Sequence, residues 1–226
     1  MPRTIAIIGG TGAEGFGLAL RFARAGASIH VGSRDLAKAQ AAADRIRAAV
    51  PAADVEAGMN PDAVAGAEIA VLTVPLAAQI PTLKSLRASL RPGTILVDAT
   101  VPLEAAIGGS PTRPLSLFAG SAGQQVARNV PEGVDVVAAF HSLGADLLAD
   151  LEHPVDSDVL LCGDKAEAKA AVAKLVAMLP GARAVDAGPL ENARLVEGLS
   201  ALLISLNIRR KAKHAGVRIT GLLPGF

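Results

Sequence analysis

The chain has no tryptophan, no tyrosine and only five phenylalanines in 226 residues. Proteins that hold single-stranded nucleic acid stack bases on aromatic faces, so this composition argues against that class. Charge of one sign is also lacking. The 22 Lys and Arg against 21 Asp and Glu leave a formal net charge of +1, too little to gather duplex DNA or an anionic membrane. The single cysteine, Cys162, has no disulfide partner in the chain. In "VLLCGD" it reads as a small buried residue near a strand end. No Cys/His run has metal-ligand spacing, so no metal centre is expected. Long apolar runs are missing too, because Pro, Gly or a charge interrupts each well before the ~20 residues that span a bilayer. "MPRTIAIIGG" lacks the apolar core and small-residue cleavage site of a signal peptide. The expectation is a cytoplasmic protein that works on small molecules, with neither nucleic acid nor membrane as partner.

What the chain does have is alternation. Short apolar, β-branched runs at 4–8, 28–31, 54–57, 69–74, 94–97 and 134–139 are separated by alanine-rich helical stretches. Short, wholly apolar strands between helices imply a parallel sheet covered on both faces. The fold class expected is α/β, a Rossmann-type doubly wound parallel sheet over residues 1–150. The last third repeats the pattern on a smaller scale, with strands at 158–162 and 184–185 and a long final helix from about Leu190. Residues 151–226 therefore read as a smaller C-terminal α/β lobe, packed with the first part as one body.

Glycine is concentrated in "IAIIGGTGAEGFG", five glycines in thirteen positions from Ile5 to Gly17. Glycine is poor material for a strand or a helix, so a close approach must require it. Gly10-Thr11-Gly12-Ala13-Glu14-Gly15 fits G-x-G-x-x-G, placed after a strand and at the start of a helix, where a dinucleotide pyrophosphate meets unsatisfied N–H groups. In that scheme Gly10 permits the tight turn, Gly12 the approach of the pyrophosphate, and Gly15 close packing of helix on strand. Glu14 is awkward there, because its carboxylate would repel phosphate.

The second strand ends "IHVGSRDLAK". An NAD-binding turn would end that strand with an acid for the ribose 2′-OH. Here Gly32 stands in that place, followed by Ser33 and Arg34, with Lys38 one helical turn beyond Arg34. A hydroxyl and two cations suit a 2′-phosphate, so NADP is the expected dinucleotide. Asp35 lies past the strand end and reads as a helix N-cap.

Seven stretches in order along the chain carry a further resemblance: "IGGTGAEGFGLALRFA", "VGSRDLAKA", "IAVLTVP", "AFHSLGA", "CGD", "DAGPLENARLVEGL" and "HAGVRITGL". Together they resemble the F420-dependent NADP oxidoreductases. The resemblance implies hydride transfer between NADP(H) and the deazaflavin coenzyme F420, with the C-terminal lobe completing the deazaflavin site. It implies that Thr11, Gly12, Ala13 and Glu14 meet the NADP phosphates, and that Ser33, Arg34 and Lys38 meet the 2′-phosphate. Val74 would lie beside the ribose and nicotinamide, and Ala145 near the nicotinamide. His141 and Ala215 would line the deazaflavin side, with His141 as a positioning group. Phe16 stands where the family more often carries a polar or charged residue, and an altered contact at the cofactor mouth is expected.

Two other readings keep the fold. One is an NADPH-dependent reductase of a different acceptor, such as a flavin feeding a ferric centre or an imine or keto substrate. The other is a non-enzymatic NADPH-sensing module. The basic residues Arg209, Arg210, Lys211, Lys213 and Arg218 could grip the anionic tail of F420 or simply be a solvated helix end. The stripe Leu195, Leu199, Leu202, Leu203 and Leu206 suggests a homodimer surface or ordinary core.

Overall fold

The structure is a computed structural model that describes residues 4–222. Strand β1 (Thr4–Ile8), helix α1 (Ala13–Arg24), β2 (Ser28–Ser33), α2 (Leu36–Ala49) and β3 (Val55–Met59) form the first half. After the short α3 (Asn60–Val64) come β4 (Ile69–Leu72), α4 (Leu76–Leu86) and β5 (Ile95–Asp98). Then follow α5 (Ala122–Ala127), β6 (Asp135–Ala138) and α6 (Ala145–Ala149). The chain continues through β7 (Asp158–Gly163), α7 (Ala166–Val176), β8 (Arg183–Asp186) and α8 (Ala193–Arg210). The strands make one sheet in the order β3-β2-β1-β4-β5-β6-β7-β8. The order reverses between β1 and β4, so a crevice opens at the carboxyl ends of those two strands.

The physics behind the strands is plain. Residues 5–8 and 69–72 are buried on both faces of the sheet, which is why these runs do not alternate with polar residues. One apolar core lies under α1, α2 and α7, and a second under α3, α4 and α8. The sheet passes through the expected boundary at residue 150 without a break.

Strands β1–β6 pair in parallel as expected of residues 1–150. The C-terminal lobe joins them differently: β6 and β7 pair antiparallel, Val137 against Gly163 and Ala138 against Cys162. A parallel pair needs a crossover that returns the chain to the other end of the sheet. Residues 139–157 hold only the five-residue α6, so the chain re-enters at the edge it left. That short α6 packs on α1, where Gly17 leaves no room for a side chain: a Cβ there would lie 2.5 Å from Leu148 Cβ. The buried Arg21 then donates from Nε to the Leu148 carbonyl at 3.0 Å and from its terminal nitrogen to the Leu147 carbonyl at 2.7 Å. Its guanidinium thereby satisfies carbonyls at the end of α6 that would otherwise lack partners.

After α8 the chain turns at Lys211, which is left-handed at φ 52°, and runs back beside β7. The Asp158 N–H donates to the Val217 carbonyl at 2.7 Å, and the Ile219 N–H donates to Asp158 Oδ2 at 2.7 Å. Arg183 and Arg218 both pair with the buried Asp158. Burial alone would raise that carboxyl, but its hydrogen bonds from Arg183, Ile219 and Arg218 hold it down to about 2.

Candidate active site

The glycine turn closes over the ends of β1 and β4. Its left-handed residue is Gly9, at φ 80°, rather than Gly10. Gly10 instead sits against strand backbone: its N–H donates to the Gly32 carbonyl at 3.0 Å, and a Cβ there would lie 3.0 Å from the Ile7 carbonyl oxygen. Gly15 has the tightest surroundings, with a Cβ falling 2.4 Å from Thr73 Oγ1 and 2.9 Å from Gly10 Cα. Gly12 is the N-cap of α1 and its Cβ would meet nothing closer than 3.4 Å. Its glycine is therefore not required by packing, and the free side faces the crevice.

A cavity of about 500 Å³ opens there. Of the positions expected to hold NADP, Thr11, Gly12, Ser33, Arg34, Lys38 and Val74 line it. Gly10 and Gly15 lie behind the turn, while Ala13 and Glu14 are outside the lining. The sequence reading had not singled out Gly9, Asn60, Thr73 and Arg45, which also line it. Asn60 accepts weakly from the Gly9 N–H at 3.4 Å, and Thr73 donates to the Ile8 carbonyl at 3.0 Å. Asp35 is the N-cap of α2 and accepts from the Lys38 N–H, while Ser33 Oγ accepts from the Asp35 N–H. The acid is thus turned to its own helix, leaving the side chains of Arg34 and Lys38 on the cavity wall.

Glu14 is half-buried in the first turn of α1, and burial together with the nearby Asp98 pushes its carboxyl up to about 8. Asp98 itself is wholly buried at the end of β5. It accepts from the Thr100 hydroxyl at 2.7 Å and from Gln79 Nε2 at 3.2 Å, and Gln79 Oε1 accepts from Gln125 Nε2 at 2.7 Å. Burial outweighs these bonds and pushes Asp98 up to about 7.

Glu197, buried on α8, accepts the Ala122 and Gly123 N–H groups at 2.9 and 3.0 Å and so closes the start of α5. Its carboxyl is likewise raised, to about 7, chiefly by burial. One ligand-capable atom from each of Asp98, Glu197 and His141 lies within 4.8 Å of the others. No run in the sequence has metal-ligand spacing; this set is spatial, drawn from three elements far apart in sequence. With both carboxyls raised to about 7 by burial, the pair retains protons far above the usual carboxylate range.

His141 follows the end of β6. Ser200 Oγ donates to its carbonyl at 2.6 Å, which ties the residue to α8. The side chain is 6% exposed, and neither ring nitrogen has a hydrogen-bond partner among the described residues. Burial pushes its pKa down to about 4, so the ring is neutral near pH 7. His141, Ala145 and Ala215 line one cavity of about 260 Å³, together with Val101, Ser200, Asn207 and Lys213. Thr100, just past β5, donates to Asp98 at 2.7 Å and lies 3.5 Å from the carbonyl of Val74, a residue of the larger cavity.

The remaining motifs separate. Phe16 is half-buried against the core below α1, with the Arg45 guanidinium 4.0 Å from its ring centroid. Of the basic residues, Lys213 lines the smaller cavity, Arg218 is committed to Asp156 and Asp158, and Arg209 and Arg210 line a separate groove with Leu202 and Leu206. On α8, Leu203 is core and Leu199 packs partly on it, whereas Leu195, Leu202 and Leu206 are exposed. Cys162 is buried, with its thiol pushed up to about 11 by burial. Among the described residues no helix is long and apolar enough to cross a membrane.

Residues 4–102 match the family described as NADP oxidoreductase, coenzyme F420-dependent. The F420-dependent NADP reductase of Methanothermobacter thermautotrophicus is 47% identical over 98% of this chain and 97% of its own length. The protein of the same name from Methanocaldococcus jannaschii is 42% identical over 96% of this chain and 98% of its own. A crystal structure from Arthrobacter sp. FB24, named as a candidate F420-dependent NADP-reductase, superposes with TM-score 0.81 at 29% identity, over 96% of this chain and 99% of that one. An Aspergillus terreus reductive aminase, at 18% identity and TM-score 0.62, covers 93% of this chain and 64% of its own, and shares the fold alone.

Proposed function

This chain belongs to the F420-dependent NADP reductases, and on that premise we propose how its residues carry the reaction. The enzyme moves a hydride between nicotinamide C4 of NADP(H) and C5 of the deazaflavin of F420. In the direction of F420 reduction, NADPH supplies the hydride, a proton is added to the deazaflavin, and NADP⁺ leaves. Such a transfer needs two rings held face to face in a dry site, with no covalent intermediate on the protein. Reduction of a flavin, imine or keto acid, and a purely sensory role, are not favoured by the relatives.

The observation that carries the assignment of the two sites is the pair of cavities at one edge of the sheet. Thr11 and Gly12, at the positive end of α1, suit the pyrophosphate. Ser33, Arg34 and Lys38 suit the 2′-phosphate, and none of these two cations has an acidic side-chain partner among the described residues. Val74 would then lie beside the nicotinamide ribose. The smaller cavity would take the deazaflavin, with Ala145 and Ala215 giving close approach and neutral His141 offering one hydrogen bond to the ring. Its unpartnered nitrogens support that role, because a buried imidazole lacking partners costs free energy until a ligand satisfies it. Gly10 and Gly15 act by shaping the turn. Ala13 and Glu14 contribute backbone at the helix start, while the Glu14 side chain belongs to the carboxyl group around Asp98.

The exposed stripe Leu195, Leu202 and Leu206 supports a homodimer through α8. A single buried thiol suits a reducing, cytoplasmic setting. The test is direct: the purified protein mixed with NADPH and oxidised F420 should bleach the deazaflavin absorbance, and FMN or an imine in place of F420 should not be reduced at a comparable rate. Turnover with FMN or an imine but none with F420 would overturn the reading.

A further inference from the structure

Arg45 was not legible as a ligand-binding residue, yet its side chain reaches the wall of the larger cavity. Lys38 and Ala42, and Ala41 and Arg45, lie four residues apart along α2, so they share one face, and all four line the cavity with Arg34. The methyl groups of the two alanines leave a shallow floor between cations. None of Arg34, Lys38 and Arg45 has a carboxylate within ion-pair distance among the described residues, although neighbouring Arg47 takes Asp44 at 2.7 Å. The cavity lining therefore carries three cations against one carboxylate, Asp35, which accepts from the Lys38 N–H at the start of α2.

A long arginine on an exposed helix face would ordinarily sample many rotamers. Here the guanidinium lies over the Phe16 ring, 4.0 Å from its centroid. Phe16 is itself held from beneath by the core below α1. An aromatic face attracts a cation and fixes the plane of a guanidinium without consuming its N–H donors, whereas a carboxylate partner would neutralise it.

We propose that Arg45 is a third phosphate-recognising cation of the NADP site, acting at the 2′-phosphate end of the cofactor, and that Phe16 is its positioning residue. This rests on the reading of the larger cavity as the NADP site. Phe16 then has a role at the cofactor after all, exerted through Arg45 rather than by its own exposed contact.

The test compares binding of 2′,5′-ADP and 5′-AMP by titration calorimetry at low salt, using the full-length protein. Arg45→Ala should weaken 2′,5′-ADP about fivefold to tenfold and leave 5′-AMP within twofold, with the difference shrinking as salt is raised. Phe16→Leu keeps apolar volume but removes the ring face, and should weaken 2′,5′-ADP severalfold. Phe16→Trp, which restores a ring face, should recover the affinity. Equal losses for both ligands, or no loss for 2′,5′-ADP, would overturn the proposal. Arg34→Ala separates the two levels. If it too fails to discriminate between the ligands, the NADP assignment of the cavity fails. If it discriminates while Arg45→Ala and Phe16→Leu do not, only the role of Arg45 fails.

Discussion

Asp98→Asn should gain stability on the wild type as pH rises from 5 to 7, and hold that gain above pH 7. Asp98 is fully buried, and its carboxyl is raised from 3.8 to about 7, mainly by burial and against the hydrogen bonds from Thr100 and Gln79. The sign follows from proton counts. Between those two values the folded state holds a proton that the unfolded chain has released, so wild-type stability falls as pH rises through this window. At about 1.4 kcal/mol per unit, the cost grows by roughly 2–3 kcal/mol between pH 5 and pH 7 and is flat above. Asparagine has no such cost. It retains an oxygen for Thr100 but turns an amide toward Gln79 Nε2, which offsets the gain by about 1–2 kcal/mol at every pH.

The informative quantity is therefore the slope rather than the absolute gain. Urea unfolding of both proteins at pH 5, 6.5 and 8, at matched ionic strength, should show the variant gaining about 2–3 kcal/mol on the wild type across the series. In a thermal scan that corresponds to roughly 5–10 °C for a chain of this length. Glu14 and Glu197, raised chiefly by burial and further by Asp98, act in the same direction, whereas His141, lowered from 6.5 to about 4, acts in the opposite one below pH 6.5 in both proteins. A pH-independent difference between the two proteins would refute the reasoning.

Arg34→Ala should raise the KM for NADPH at least tenfold more than that for NADH, measured by steady-state kinetics with either donor. His141 has its pKa pushed down to about 4, so kcat/KM should show no break near pH 6.5 that His141→Asn abolishes; such a break would mean the ring titrates as if exposed. Gly17→Ala places a Cβ 2.5 Å from Leu148 Cβ and should cost about 1–3 kcal/mol by denaturant unfolding, because both α1 and α6 are fixed at that contact. Leu202→Glu with Leu206→Glu should convert a dimer to a monomer in light scattering; a wild type that is already monomeric would remove the role of the α8 stripe.

The strands were legible because β-branched, wholly apolar runs such as Ile69–Leu72, bounded by helical stretches, are too short to be buried helices. The dinucleotide turn was legible because glycine is costly wherever it is not needed, and Ser33 and Arg34 stood where an acid was absent. The position of the left-handed residue was not, since "GG" leaves Gly9 and Gly10 equivalent until the strand ends at Ile8. The antiparallel β7 was hidden because its residues read the same in either direction. Asp98, His141 and Glu197 come from β5, the end of β6 and α8, so only the folded sheet brings them together. Arg45 looked like any solvated helix residue, and the one signal for it was Phe16, an aromatic side chain in an otherwise small, polar turn.

The central claim is that one hydride passes directly between the two rings. NADPH carrying deuterium at the transferring C4 position, incubated with oxidised F420 and the enzyme, should yield reduced F420 with the label at C5 by mass spectrometry and NMR. Label lost to solvent, or retained in the nicotinamide while F420 stays oxidised, would contradict the account.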